Sequence, residues 1–250
     1  AADVAAASAW TARHFGGDAP VLPFSFAYGD ARGPDVLRSW QFASATRSSG
    51  PATTERVLTW TDPRTKLVVR CVVVEYRDFP AVEWTVSFQN TGTIPTPVLA
   101  NIQALDADVE RGPEGEFVLH GTKGDWCTAD SFAPFSRPLP PRAEERFASY
   151  GGRPCNAAFP FFNLQRPGGG VFIAVGWPGQ WAGSFVRDAS DGLHVTAGQQ
   201  VTHLSLEPGE QIRSPLVALV FWRGDDVVAS HNLWRRWMVA HNLPRTADGR

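Results

Sequence analysis

The run from Lys66 to Asp78, KLVVRCVVVEYRD, limits what this chain can fold into more than any other stretch. Leu67, Val69, Cys71 and Val73 form one apolar set of alternate positions, and Val68, Val72, Val74 and Tyr76 make the other set mostly apolar too. β-Branched residues dominate, which favours an extended strand. Apolar on both faces, it reads as a central strand covered from both sides. VLTWTD precedes it and AVEWTVSFQNTG follows, with turns marked by Asp62-Pro63 and Asn90-Thr91-Gly92. GGGVFIAVGWP, QWAGSFVRD, LHVTAG, VTHLSLEPGE and SPLVALVFW continue the rhythm, with Gly or Pro at the breaks. This is the meander of an all-β sandwich, and 250 residues suit one large unit of that kind.

Two stretches depart from the rhythm. Residues 109 to 160 are polar and rich in Gly and Pro, and read as long irregular loops of the functional kind. Near the C-terminus, Asp225 or Asp226 can N-cap a helix from about Val227 to His241, with Leu233, Trp237 and Ala240 on one face and Pro244 as its stop. It is the one good helical segment in this reading. The Ala-rich opening AADVAAASAW lacks a basic start and a continuous apolar core, so it is not an intact signal peptide. Pro167 to Gly170 precede a strand rather than a helix and read as a hairpin turn, not a phosphate cradle.

Composition narrows the function classes. A net charge of -2, with Arg235-Arg236 as the one dense basic spot and no basic face to neutralise phosphates, argues against nucleic acid as a partner. No apolar run is long enough to span a bilayer. Cys71, Cys127 and Cys155 make no C-x-x-C pair, and Cys71 reads as a small buried hydrophobe. None of the six His residues forms a metal-ligand pair with a third ligand nearby, so neither metal nor cofactor is expected.

The carboxylate pairs open to general acid/base work are Glu75 with Glu83, Asp106 with Asp108, and Asp125 with Asp130. Solvated or hydrogen-bonded carboxylates are the plain alternative, and no catalytic constellation is visible. Ten Trp and sixteen Phe against three Tyr are unusual, serving either a broad core or sugar stacking. Trp177 and Trp181 flank a Pro-Gly turn in GWPGQW, where one could stack on a sugar or both could fold back on the sandwich. Trp126, in the polar segment GDWCTAD, has less reason to be buried. The candidate substrate-binding residues are therefore Asp125, Trp126, Asp130, Trp177 and Trp181.

Seven phrases in order carry a resemblance. They are LPFSF with Tyr28-Gly29, VEYRDFPAVEWTVSFQNTG, NIQALD, RPCNAAFPFFN, GWPGQW, VTAGQQVTHLSLEPGEQIRSP and LWRRWMVAHNLPR. Together they resemble the N-terminal region of family 36 glycoside hydrolases, the α-galactosidase family, over about residues 20 to 245. The resemblance implies a β-supersandwich of two large antiparallel sheets over 1–225. A linker helix over 226–250 would lead to a (β/α)8 barrel that hydrolyses α-galactosides with retention. In that family both catalytic aspartates lie on the barrel, so no catalytic residue transfers here. Cys127, Thr128 and Asp130 resemble a Cys-Thr-x-x-Asp pattern of the family's rim loop with one residue fewer before the Asp, and Asp125-Trp126 departs from it as well.

The resemblance thus implies a non-catalytic β-domain serving as scaffold, with contacts to the active-site rim and to other subunits of a homo-oligomer. Its partners would be the barrel of the same polypeptide and an α-galactoside-type carbohydrate. A free-standing carbohydrate-binding module is the alternative from another class. A small complete glycosidase, with its carboxylate pair inside the sandwich, is a third.

Overall fold

A computed structural model of the chain describes residues 2–17 and 20–244. The chain opens with a helix, α1 (Ala2–Phe15), then short strands β1 (Ser25–Tyr28) and β2 (Ala31–Arg32) and a helical turn α2 (Gly33–Leu37). A run of long strands follows: β3 (Gln41–Ser48), β4 (Thr53–Thr61), β5 (Leu67–Tyr76), β6 (Ala81–Asn90) and β7 (Leu99–Glu110). Next come β8 (Phe117–Lys123), β9 (Pro134–Leu139), β10 (Glu144–Ala148), β11 (Ala158–Arg166) and β12 (Gly169–Gly176). The last strands are β13 (Trp181–Arg187), β14 (Gly192–Gln199), β15 (His203–Leu204), β16 (Gln211–Arg213) and β17 (Leu216–Arg223). Helix α3 (Val227–Trp237) runs into a π-helical turn at Met238–Asn242.

The strands form two antiparallel sheets. One has ten strands in the order β3-β4-β5-β6-β17-β12-β11-β8-β9, with β16 attached to β6. The other has seven, in the order β10-β13-β14-β7-β1-β2, with β15 attached to β7. Alternate residues of each point inward and meet in one apolar layer. Phe26 of the smaller sheet lies edge-on to Phe88 of the larger at 5.0 Å, and Phe185 meets Phe162 at 5.2 Å. The buried Trp84 of β6 donates its indole N–H to the Ala104 carbonyl of β7 at 2.8 Å, a direct bond across the layer.

β5 is central, as its sequence predicts, but its two faces differ. Leu67, Val69, Cys71 and Val73 are fully buried, while Arg70 on the other face is exposed. Only the Val74–Tyr76 end of that outer face is covered, by α3. Burial pushes the Cys71 thiol far up, so it behaves as a small hydrophobe.

Helix α3 builds a second apolar cluster on the outside of the larger sheet. Asp226 is the N-cap, accepting from the Ala229 amide at 3.0 Å. Trp234 stacks on Phe172 at 5.4 Å, and Trp237 meets Tyr76 edge-to-face at 5.5 Å. Ser230 accepts from the Asn163 amide at 3.0 Å, and the Asn163 carbonyl in turn accepts from the Trp222 indole at 2.9 Å. The helix then widens. Leu243 donates to the Met238 carbonyl at 3.0 Å, a five-residue closure that adds a residue to the turn. That extra residue leaves Ala240, expected on the buried face, exposed. His241 comes to lie against Tyr76 instead, with ring centroids 4.6 Å apart. The linker expected over 226–250 lies outside the described residues from 245 onward.

Two expectations are corrected. The Ala-rich opening is helix α1, so α3 is not the only substantial helix. Its apolar stripe is narrow, with Ala7, Thr11, His14 and Phe15 buried. Alanines and a threonine make such a stripe hard to see, although Ala is the strongest helix former. Trp10 and Phe15 wedge against Trp84, each at 5.4 Å, and plug one end of the sandwich. Residues 109 to 160 are not one irregular segment, because they contain β8, β9 and β10. β9 and β10 are outer strands, where Pro134, Pro138 and the charged Glu144-Glu145-Arg146 are tolerated, and this masks the strand signal. The two longest loops of this stretch are 124–133 and 149–157.

Trp237 is 2% exposed at the centre of the outer cluster, so Trp237→Ala should cost ~3–5 kcal/mol. Asp226→Ala, which removes only the cap, should cost ~1 kcal/mol. Urea unfolding monitored by circular dichroism measures both.

Candidate functional site

These two long loops lie side by side. Gly124 donates to the Ala157 carbonyl and Asp125 to the Cys155 carbonyl, at 3.2 and 2.8 Å, which joins loop 124–133 to the end of loop 149–157. The first loop is held from within. The Ser131 hydroxyl accepts from the amides of Trp126 (3.3 Å) and Thr128 (3.1 Å), and Asp125 accepts from the Cys127 amide at 2.8 Å. Cys127 and Phe132 both have positive φ, at 57° and 59°, a conformation that non-glycine residues adopt only when their surroundings impose it.

This bracing presents aromatic rings to solvent. Trp126 is 53% exposed and Tyr150, from the neighbouring loop, is 64% exposed. Their centroids are 5.9 Å apart at 49°, an open pair rather than a packed one. Phe132, also exposed, turns edge-on to Phe159 at 5.5 Å. Ring faces left open in this way are free to take a flat, partly apolar ligand face.

The carboxylates of the loop are ionised. The Ser131 hydroxyl and then the Cys127 amide hold Asp125 below the usual carboxylate range. Asp130 lies lower, at about 2, chiefly through Lys123 at 2.7 Å and the Thr128 hydroxyl at 2.7 Å. Asp130 ties the loop to β8, and Asp125 caps its first turn. Both carboxylates are acceptors suited to hydroxyl groups.

The sequence candidates therefore separate. Asp125, Trp126 and Asp130 share the loop. Trp181 is buried, with its indole donating to the Pro154 carbonyl at 2.7 Å and its ring on Phe162, so it is no stacking platform. It supports the site from beneath, because its backbone N–H also bonds the Ser149 hydroxyl at 3.1 Å, next to Tyr150. Trp177 is half-buried against the core, with the Arg213 guanidinium 5.2 Å from its ring. Both residues of GWPGQW have folded back. Tyr150 went unnoticed in the sequence, where its signal is only a tyrosine before Gly151-Gly152 in a polar stretch.

Of the other carboxylate pairs, one is split across the sheet and one meets on a histidine. Glu75 is opposite Val82 and Glu83 opposite Val74, so the two glutamates lie on opposite faces of the sheet. Glu75 accepts from the Ser8 hydroxyl of α1, whereas Glu83 lies under α3 with the Tyr76 hydroxyl donating to it. Asp106 and Asp108 both bond His194, at 3.2 and 2.8 Å.

No protein-family model matches the chain, and no curated protein sequence matches it. Solved structures do match its fold. The α-galactosidase from Lactobacillus brevis aligns with a TM-score of 0.64 at 15% identity, over 87% of this chain and 30% of that one. The fold is that of part of a family 36 α-galactosidase. A family 36 α-galactosidase from Geobacillus stearothermophilus aligns at 0.59 and 14% identity, over 82% of this chain and 30% of its own. An α-N-acetylgalactosaminidase from Bifidobacterium bifidum, a quadruple mutant, gives 0.58 and 12%, over 90% of this chain and 34% of its own. The chain thus spans about a third or less of the length of these enzymes.

Within this family 36 fold, Glu83 is the carboxyl whose ionisation costs stability. Burial raises its pKa above the ordinary value, more than the Tyr76 hydroxyl and His241 lower it. A raised folded-state pKa favours the folded chain at low pH, and that advantage is lost as pH rises through it. Glu83→Gln should therefore raise the melting temperature at pH 8, with a gain that shrinks towards pH 4. Thermal unfolding of both proteins across that range checks the sign.

Proposed function

We propose that this chain is the non-catalytic β-domain of an α-galactosidase-like glycoside hydrolase. The sandwich over 1–225 is the scaffold, and the segment 226–250 leads towards a (β/α)8 catalytic domain of the same polypeptide. The observation that carries this reading is the fold match, which takes in most of this chain but only about 30% of the α-galactosidases it matches. The outer side of α3 supports it, since Val228 and, beyond the π turn, Leu243 present exposed apolar side chains at 69% and 52%. Trp126 and Tyr150 are the residues best placed to reach an α-galactoside at the rim of such a site, with Asp125 and Asp130 accepting from sugar hydroxyls. Homo-oligomeric contacts belong to the same reading.

The exposed Trp126–Tyr150 pair also favours a second reading, a free-standing carbohydrate-binding module. The two differ in where affinity resides. On the domain reading, the 250-residue chain does not hydrolyse an aryl α-galactoside above the buffer rate and does not bind raffinose below millimolar concentrations. In the polypeptide joined to its catalytic domain, Trp126→Ala should then lower kcat/KM for raffinose about tenfold, equivalent to ~1.4 kcal/mol. Submillimolar raffinose binding by the chain alone, abolished by Trp126→Ala in a fluorescence titration, would move the module reading ahead. Turnover by the chain alone that vanishes with Asp125→Asn or Asp130→Asn would instead make it a complete glycosidase.

A further inference from the structure

Among the described residues the two sheet paths end in four outer strands, with only the two- and three-residue β15 and β16 attached beside them, and an outer strand offers unpaired N–H and C=O groups that invite another strand unless something blunts it. Three of the four are blunted. β2 is only two residues long. β9 carries Pro134 and Pro138, which cannot donate to a neighbour. β10 reads Glu144-Glu145-Arg146-Phe147-Ala148, and its charges are engaged in ion pairs with Arg137 and within the strand. β3 differs. It has eight residues, QFASATRS, with no proline and no lysine, and its pairing with β4 runs without a bulge.

Its register shows which backbone groups are free. Ser49 donates to the Thr53 carbonyl at 3.2 Å, and Ser48 is aligned with Thr54. Inward bonds of an antiparallel pair recur at every second residue, so Gln41, Ala43, Ala45 and Arg47 bond β4. Phe42, Ser44, Thr46 and Ser48 therefore direct their N–H and C=O groups away from the sheet. Seven of the eight side chains are exposed, and Phe42 alone is partly covered, against Trp60 at 5.2 Å.

We propose that β3 is an association edge, and that the partner it fits is the β3 of a second copy of this chain, antiparallel about a two-fold axis at Ala45. The free groups select both the register and the partner. With the axis at Ala45, Ser44 aligns with Thr46 of the second copy and Phe42 with its Ser48. Every outward N–H and C=O of the four residues is then paired, whereas an axis at Ser44 or Thr46 leaves part of the set unmatched. Ala45 meets its own counterpart, where the side chains of an antiparallel pair come closest and small residues fit best. Ala43 meets Arg47, the only charge on the strand, which is already neutralised by Glu55 at 2.8 Å. No like charges oppose, so the edge is complementary to itself, as an isologous interface requires. The inference rests on strand geometry alone and is independent of the sugar or the catalytic partner assigned above.

A single strand edge buries little area, which places the dimer among weak interfaces with a Kd of roughly 1–100 μM. Sedimentation velocity of the 250-residue chain over that range should show a monomer–dimer equilibrium. Ala45→Lys brings two lysines face to face and should weaken association at least tenfold. Mixing Ala45→Lys with Ala45→Glu chains should restore a heterodimer, a result that only direct 45–45 opposition produces. Ser44→Pro removes an outward N–H without touching the β4 ladder, and should abolish the dimer while leaving the circular dichroism spectrum unchanged. A wild-type chain that stays monomeric at 100 μM would overturn the proposal. So would a dimer indifferent to Ala45→Lys, which would place the contact elsewhere, or variants that fail to reassociate on mixing.

Discussion

The indole of Trp84 is where the separate parts of this molecule are fastened to one another. Its N–H bonds the Ala104 carbonyl across the apolar layer, so one side chain of the larger sheet is pinned to the backbone of the smaller. Its ring carries Trp10 and Phe15, the residues by which α1 closes the end of the sandwich. A buried indole without a partner would cost on the order of 1–3 kcal/mol, so the carbonyl it meets fixes the height of β7 against β6. Once those two strands are set, β14 and β1 follow on one sheet, and β5 and β17 on the other.

The strands that such a layer needs were legible because both their residues and their breaks agreed. β5, β6, β12 and β17 are rich in valine, and Pro167-Gly168 makes the turn between β11 and β12 that its composition predicts. Asp226 as a helix cap was legible for the same local reason. What stayed hidden depended on distance in space. The outer strands β9 and β10 carry prolines and charges because they have only one neighbour, and nothing in a linear reading reveals that. Helix α1 hides because its buried face is made of small residues that a crowded sandwich end can accommodate. The shift of His241 into the place of Ala240 required knowing that the last turn widens.

The aromatic residues show the same division at the candidate site. Trp126 stands out in sequence because its neighbours are polar, and it is indeed exposed. Trp177 and Trp181 sit at a turn, which is equally compatible with a tip that reaches out and one that folds back. The choice is made by acceptors contributed from elsewhere, the Pro154 carbonyl and the Ser149 hydroxyl, which take in the indole and the amide of Trp181. Tyr150 owes its exposure to that burial. One tryptophan goes down into the core, and the loop hooked over it carries a tyrosine outward.

The π turn at Met238–Asn242 has a bearing on direction. A helix advances about 100° and 1.5 Å for each residue, so one residue more or less in that turn swings everything beyond it by more than a quarter of a revolution. The sandwich end of the helix is bolted down by Trp234 and Trp237, so among the described residues the angle beyond them is set at this turn. His241, bonded to Asp78 at 3.0 Å and lying on Tyr76 and Phe79, holds the chosen angle from the far side. Loss of a single codon there would leave Trp234 and Trp237 seated, break the His241–Asp78 contact and turn Leu243 to a different side.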